Sequence, residues 1–394
     1  MMFAIINISM ILVRFCSMKI MSKFFVMFCF LSLFCSLAEA NEMRFSLGNQ
    51  INETSTLQSN ALFGWPWWGS DPKPKPDIHT DPTAFQMDNI LELEGKLNQA
   101  IFGQEYAINE VANHLISYKA GINNPNKPIG VFLFIGPTGV GKTQLAKELS
   151  NVLLGSKIYM TRLDMSEFST KESVWGLIGP ARGYIGAEEG GVLTEALRGR
   201  TNSIILLDEI EKAAPEVLKL FLAAFDEGRI TSGIGETFNL NSAIFILTTN
   251  IASEEILDLS NQCFDNESIL ARTEGKLVSY LSPEFYNRTT PIIFKAIPLD
   301  LYPKIIEREL VLVSKRLWSV KNIYLTFDSS VNDYLFDSLQ SNRLGVRPLQ
   351  RLVEKQLVGN LSHFIVSNNP EPKSHVLITV EDNYVIIKDL GVQK

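Results

Sequence analysis

The chain has 394 residues, enough for one large globular domain or two to three modest ones. A composition of 46% hydrophobic and 20% charged residues excludes a wholly disordered polypeptide, and four cysteines exclude a disulfide-dense scaffold. The formal net charge of -7 leaves no global basic field to hold nucleic acid, so function has to be read from local sites.

Residues 24–37, FFVMFCFLSLFCSL, form a nearly unbroken apolar run. Lys19 and Lys23 precede it and Ala38-Glu39-Ala40 follows, the three parts of a secretory signal peptide. The run is shorter than the ~20 residues that span a bilayer comfortably; an uncleaved anchor over 1–40 is the alternative. Met18 opens a more ordinary leader, so 1–17 reads as an extension of the start. Cys16, Cys29 and Cys35 all lie in this leader, and Cys263 alone follows it, which leaves no intrachain disulfide after cleavage. The expected address is a periplasm or secretory lumen, or a membrane surface, with the cytoplasm as the alternative. Residues 41–89 read as a linker. Trp65, Trp67 and Trp68 precede alternating prolines that favour extended chain, and the tryptophans are candidates for a membrane or adaptor contact or for packing on the body of the chain.

Strand and helix alternate from residue 90 onward. Ile90, Leu91, Leu93, Leu97 and Ile101 fit one face of a helix. Apolar runs at 130–135, 158–163, 203–207, 243–248 and 291–294 fit buried strands. Helical segments are expected at 142–154 and 215–225. This predicts an α/β fold, a parallel sheet flanked by helices, over 90–295, with ligand beyond the carboxyl ends of the strands. Residues 296–394 read as a smaller α+β unit. Leu301, Ile305, Ile306, Val313 and Leu317 recur at helical spacing, as do Leu349, Val353, Leu357 and Leu361, and 374–380 with 384–387 fit a terminal hairpin.

The chemistry lies at predicted strand ends. Gly136-Pro137-Thr138-Gly139-Val140-Gly141-Lys142-Thr143 fits G-x-x-x-x-G-K-[ST] between a strand and a helix. Its glycines let backbone N–H groups point at phosphate oxygens, Lys142 neutralises the β- and γ-phosphates, and the Thr143 hydroxyl ligates Mg²⁺. The strand 203–207 ends in Asp208 and Glu209, a metal-side carboxylate and a water-activating one. The next strand ends in Asn250, whose amide can orient the lytic water or simply form a turn. Four scattered histidines show no metal spacing.

Taken together, FGQEYAINEV, NNPNKPIGVFLFIGPTGVGKT, LDMSEF, GYIGAEEGGVLTEALR, SIILLDEIEKAAPEV, SPEFYNR and GVRPLQR resemble the AAA+ module of the Clp unfoldases and disaggregases, specifically the second ring of the two-ring members. The resemblance spans 100–290 and continues more weakly to about 390, some three quarters of the chain. It implies an ATPase that uses ATP and Mg²⁺ and works as a homo-oligomeric ring, a hexamer in the family, on polypeptide substrates. It places Ile101, Phe102, Gly103 and Gln104 at the adenine pocket, Lys142, Thr143, Asp208 and Glu209 in the two Walker motifs, and Asn250 at sensor 1. Arg288 matches the arginine finger that reaches a neighbour's γ-phosphate, Arg347 matches sensor 2, and Tyr184 matches the pore aromatic that grips substrate.

The sequence also departs from the family. It has no match to the first ring, the coiled middle domain or the peptidase-docking tripeptide, and Arg182 precedes the pore aromatic where relatives usually carry proline. A leader on an ATPase resembles torsins. Torsin P-loops, however, typically end in Lys-Asn and torsins lack the pore aromatic, whereas this chain keeps Lys142-Thr143 and Tyr184. Asn287-Arg288-Thr289 is a glycosylation sequon at the expected finger, which sits poorly with a glycosylating lumen. The expectation is an ATP-driven threading unfoldase; the alternative is a torsin-like, nucleotide-gated scaffold with slow or partner-activated turnover. No nucleic-acid partner is expected.

Overall fold

A computed structural model describes residues 85–184, 186–200, 202–339 and 345–392. The expected leader, the tryptophan and proline part of the linker, and Ile185 beside the pore aromatic lie outside the described residues. The end of the segment 41–89 packs on the body: Met87 is buried and Gln86 N–H donates to the Leu153 carbonyl at 2.8 Å.

Five strands form the central sheet: β1 (Gly130–Ile135), β2 (Met160–Asp164), β3 (Ser203–Asp208), β6 (Ala243–Thr249) and β7 (Thr290–Ile293), in the order β2-β3-β6-β1-β7. The short hairpin strands β4 (Arg229–Thr231) and β5 (Thr237–Asn239) lie between β3 and β6 in the chain. All neighbours in the sheet run parallel. Strands β1, β3 and β6 are buried along their whole length, as apolar strands covered on both faces must be. Alternation sorts their side chains into two cores. Leu133, Leu207 and Phe245 face one, and Phe132, Phe134, Leu206 and Ile246 face the other. Each such side chain contributes about 1.5–3 kcal/mol of burial.

The helices of this domain are α1 (Leu93–Asn98), α2 (Glu105–Lys119), α3 (Lys142–Leu154), α4 (Val174–Ile178), α5 (Val192–Leu197), α6 (Pro215–Glu227), α7 (Ser253–Asn261), α8 (Asn266–Leu281) and α9 (Pro283–Tyr286). Helix α3 buries Leu145, Ala146, Leu149 and Leu153 on one stripe and stops at Gly155, which takes the left-handed cap with φ 73°.

The small domain holds α10 (Tyr302–Lys321), β8 (Tyr324–Phe327), α11 (Ser329–Leu339), α12 (Val346–Val353), α13 (Gly359–Asn368) and the hairpin β9 (Ser374–Glu381) with β10 (Tyr384–Val392). Its sheet runs β10-β9-β8, with β8 parallel to β9. A separate core collects Ile306, Leu335, Leu349, Leu357 and Ile378.

Three local expectations need correction, and one strand was not expected. The helix read from Ile90 to Ile101 is a 3-10 turn, Ile90–Glu92, followed by α1, and Ile101 lies beyond it. The second strand starts at Met160, because the Ser156 side chain caps a 3-10 turn, Lys157–Tyr159, that leaves Ile158 exposed. The periodic stretch from Leu349 to Leu361 is two α-helices joined by a π-helical segment, Glu354–Val358, which adds a residue to one turn without losing the apolar stripe. Strand β8 completes a third position beside the expected terminal hairpin; four residues give too little periodicity to read.

Candidate functional site

Parallel register sets the site. Ile135 pairs with Thr249 and Leu207 with Leu247, so the residues that follow β1, β3 and β6 emerge at one level on one edge of the sheet. The loop after β1 turns at Gly136, where a Cβ would lie 2.3 Å from the Phe294 carbonyl oxygen, so only glycine fits. Gly141 then caps α3 with φ 107°, and the first-turn amides of α3 face the cavity as a ready anion site.

Lys142 is buried. Its Nζ donates to the carbonyls of Gly136 and Pro137, the latter at 2.8 Å, and to Asn250 Oδ1 at 3.0 Å. Burial pushes its ammonium down to about 8. Glu211, Asp208 and Glu209 pull in the opposite direction, while Arg347 adds to the lowering.

Asp208 is only 7% exposed and both of its oxygens are engaged. The Thr248 hydroxyl donates to Oδ1, and Arg162 donates to Oδ2 through Nε at 3.1 Å and Nη2 at 2.6 Å. The same Thr248 oxygen accepts the Glu209 N–H at 3.1 Å. Glu209 adopts φ 56°, the left-handed region that a non-glycine residue occupies at a cost of about 1–3 kcal/mol. Thr248 therefore pins both acids at once. Glu211 Oε1 accepts the Asn250 N–H at 3.1 Å, which fixes the residue whose side chain meets Lys142. The other Glu211 carboxylate oxygen is buried with no hydrogen-bond partner among the described residues.

Lys142, Arg162, Asp208, Glu209, Thr248 and Asn250 line a cavity of about 350 Å³ between the large and small domains. Ile101, Phe102 and Ala100 form one wall, with Thr138, Gly139, Val140, Gly141, Lys142 and Thr143 along the floor. Gln104 braces this wall: its Nε2 donates to the Val140 carbonyl at 3.1 Å and to the Lys295 carbonyl at 3.0 Å. From the small domain come Ile305, Arg308, Leu312 and Arg347. Val346 N–H, at the start of α12, donates to the Gly139 carbonyl at 2.8 Å. A Cβ on Gly345 would meet the Thr138 and Gly139 carbonyl oxygens at 2.8 Å, so glycine there permits the two domains to touch. Arg308 donates to the Ala100 carbonyl, and its guanidinium lies 3.6 Å from Glu148 on α3.

The sequence-read site residues thus divide. Ile101, Phe102, Thr138 to Thr143, Asp208, Glu209, Asn250 and Arg347 share one cavity, with Gly136 and Pro137 bonded to Lys142. Arg288 is not among the residues lining it. Its Nε donates to Asp226 on α6 at 2.6 Å and its Nη1 to the Glu284 carbonyl at 2.8 Å. Tyr184 is also elsewhere, 58% exposed, with its ring 5.4 Å from that of Trp175. Arg182 donates to the Ile234 carbonyl at 2.7 Å in the loop between β4 and β5. Sequence reasoning missed Arg162, Glu211, Thr248 and Arg308. Glu211 sits inside the run SIILLDEIEKAAPEV and Thr248 ends the apolar run 243–248 just before Asn250; nothing in the pattern marked Arg162 or Arg308.

The donor set fits a triphosphate with a hard divalent cation. The floor supplies backbone amides and a lysine, and Thr143 and Asp208 offer a hydroxyl and a carboxylate oxygen, the few oxygen ligands that Mg²⁺ takes beside phosphates and water. Among the described residues no group of three or more His, Cys, Asp or Glu is placed to hold a metal by itself.

Comparison with known proteins agrees with this geometry. Residues 127–292 match the family model described as AAA domain (Cdc48 subfamily), and residues 301–378 match that of the C-terminal, D2-small domain, of ClpB protein. The chain is 37% identical over 301 residues to a protein named Chaperone protein ClpB from Prochlorococcus marinus, covering 76% of this chain and 35% of that one. It is 38% identical over 307 residues to the protein of the same name from Chlamydia pneumoniae, covering 77% and 35%, and 38% identical over 304 residues to that of Bacillus cereus, again 77% and 35%. The chain therefore spans about a third of the length of these curated relatives.

Proposed function

The chain carries a Clp-family AAA+ ATPase module, an AAA domain joined to a small domain of the ClpB D2 type, and from that premise we propose that it hydrolyses Mg²⁺-ATP within a ring of its own copies and uses the energy to thread and remodel polypeptides. The observation that carries the reading is the meeting of Lys142, Asp208, Glu209, Asn250 and Arg347 around one interdomain cavity. Five charged or amide side chains from four separate segments have no packing reason to converge there.

The roles follow from position. Backbone amides of 138–143 cradle phosphates, and Lys142 meets the β- and γ-oxygens after exchanging carbonyl partners for phosphate. Thr143 and Asp208 would hold Mg²⁺, which neutralises phosphate charge when bound. Glu209 takes the proton from the attacking water while the Asn250 amide orients it. Ile101 and Phe102 flank the base. Arg347 links the phosphate end to the small domain, so a change at the nucleotide moves one domain against the other. Arg288, paired within its own chain to Asp226, would exchange that partner for a γ-phosphate on an adjoining copy. Tyr184, exposed behind Gly183 in open space, would grip an extended chain.

Steady-state hydrolysis by the purified chain tests the reading directly. Lys142→Ala should abolish nucleotide binding, and Glu209→Gln should bind ATP but turn over at least about a hundredfold more slowly. Unchanged turnover in either variant would refute the site. The proposed ring is a hexamer, measurable by sedimentation with ATP. We also propose that the chain is exported or membrane-associated through its apolar leader, with the tryptophan segment as a contact for a membrane or adaptor. A native amino terminus at Asn41 would support processing, and one at Met1 or Met18 would contradict it. Neither the family models nor these relatives point to the torsin-like alternative.

A further inference from the structure

We propose that Arg162 is a built-in counter-ion that competes with the divalent cation for Asp208 and thereby sets how strongly nucleotide binding depends on Mg²⁺; the inference rests on the nucleotide reading of the cavity. Arg162 lies on β2 with its backbone paired to Leu206, one strand away from the acid. From there two of its N–H groups converge on a single oxygen, Asp208 Oδ2, at 3.1 and 2.6 Å. The other oxygen takes the Thr248 hydroxyl, so three of the carboxylate's roughly four acceptor positions are filled. A cation drawn to Asp208, directly or through a bound water, competes with the guanidinium for the same negative charge.

The two partners differ in mobility. The Asp208 side chain is 10% exposed and held from both sides, whereas the Arg162 side chain is 47% exposed and lines the cavity. The guanidinium is therefore the partner that can leave, toward the solvent that already reaches it. Lys142 does not serve as the acid's partner, because its Nζ holds two loop carbonyls and Asn250. Arg162 thus acts through Asp208 as a positioning residue: it compensates the acid's charge until the metal takes it over, then gives the acid up.

A charge held beside a partly buried anion has a predictable signature. Replacing Arg162 by neutral glutamine leaves Asp208 uncompensated and facing the triphosphate. Without metal, nucleotide should then be repelled. With metal, Asp208 has no competitor and binds the cation more readily. An arginine that only clamps β2 to β3 would instead alter both conditions alike.

The experiment titrates a fluorescent ATP analogue into the full chain, in EDTA and in Mg²⁺, for wild type, Arg162→Gln and Arg162→Lys. In EDTA the glutamine variant should bind about tenfold more weakly, since loss of one compensating charge exceeds the ~1.4 kcal/mol that a factor of ten requires. In saturating Mg²⁺ its affinity should stay near wild type, and its half-saturating Mg²⁺ concentration should fall several-fold. Lysine keeps the charge but loses the forked geometry, so that variant should fall between and serves as the test if the glutamine variant does not fold. Equal shifts in EDTA and Mg²⁺, or no shift in either, would overturn the proposal while leaving the nucleotide site standing. A wild-type chain that binds the analogue in neither condition would overturn both.

Discussion

Thr248 is the most informative residue to perturb, because one buried hydroxyl serves both acids. Its Oγ1 donates to Asp208 and accepts the Glu209 N–H, and the residue is 2% exposed. Thr248→Val keeps the shape and removes both bonds. The lost bond to a carboxylate is worth about 1.5–3 kcal/mol, and the Glu209 N–H left unpaired adds about 1 kcal/mol or more. Glu209 also loses the bond that holds it at φ 56°, so its carboxylate no longer has a fixed direction. Allowing for relaxation, we expect a destabilisation of about 2–4 kcal/mol by urea unfolding, with a fall in Tm of roughly 5–10 °C for a domain of this size. ATP turnover should fall further than ATP binding. Thr248→Ser keeps the hydroxyl and should recover most of both. A valine variant as stable and as active as wild type would show that this hydroxyl positions nothing.

Two further outcomes follow from the same geometry. Tyr184→Ala should leave ATP turnover within about twofold of wild type, as expected for an exposed loop residue remote from the cleavage site, while abolishing unfolding of a tagged substrate; normal unfolding would end the threading model. Tyr286 is buried, and that burial, with Glu274 adding to it, raises its phenol to about 12. The neutral ring is thus favoured by the fold, so its contribution is complete below pH 10 and is lost between about 10 and 12, on the order of 3 kcal/mol at most. Alkaline unfolding should therefore be shallower in Tyr286→Phe than in wild type, and identical profiles would contradict that assignment.

The parts of this molecule that were legible in sequence are those where one local pattern carries the physics. Gly130 to Ile135 reads as a strand because it is apolar throughout, and Lys142 to Leu154 as a helix because its stripe begins after one glycine and ends at another. The phosphate loop and the two acids are legible because strand ends expose what the strands bury. Arg162, Thr248 and Glu211 were not legible as site residues, because their roles depend on strand order. Nothing local says that β2 lies beside β3, or β3 beside β6, and only that adjacency brings a β2 arginine and a β6 threonine onto a β3 aspartate. Arg308 was hidden by its spacing on α10, where it sits among polar neighbours until the small domain folds back onto Ala100. The hairpin of β4 and β5, three residues each, is too short for periodicity to register.

The central claim is that ATP cleavage is completed between two copies, with Lys142 and Glu209 on one and Arg288 on the other. The decisive measurement mixes Glu209→Gln chains with Arg288→Ala chains, each inactive alone, and follows phosphate release. A random equimolar ring contains intact seams wherever a Glu209-bearing copy meets an Arg288-bearing neighbour, so the mixture should recover roughly a quarter of the wild-type rate. A mixture as silent as its components, or an Arg288→Ala chain that cleaves ATP at the full rate by itself, would contradict a shared seam.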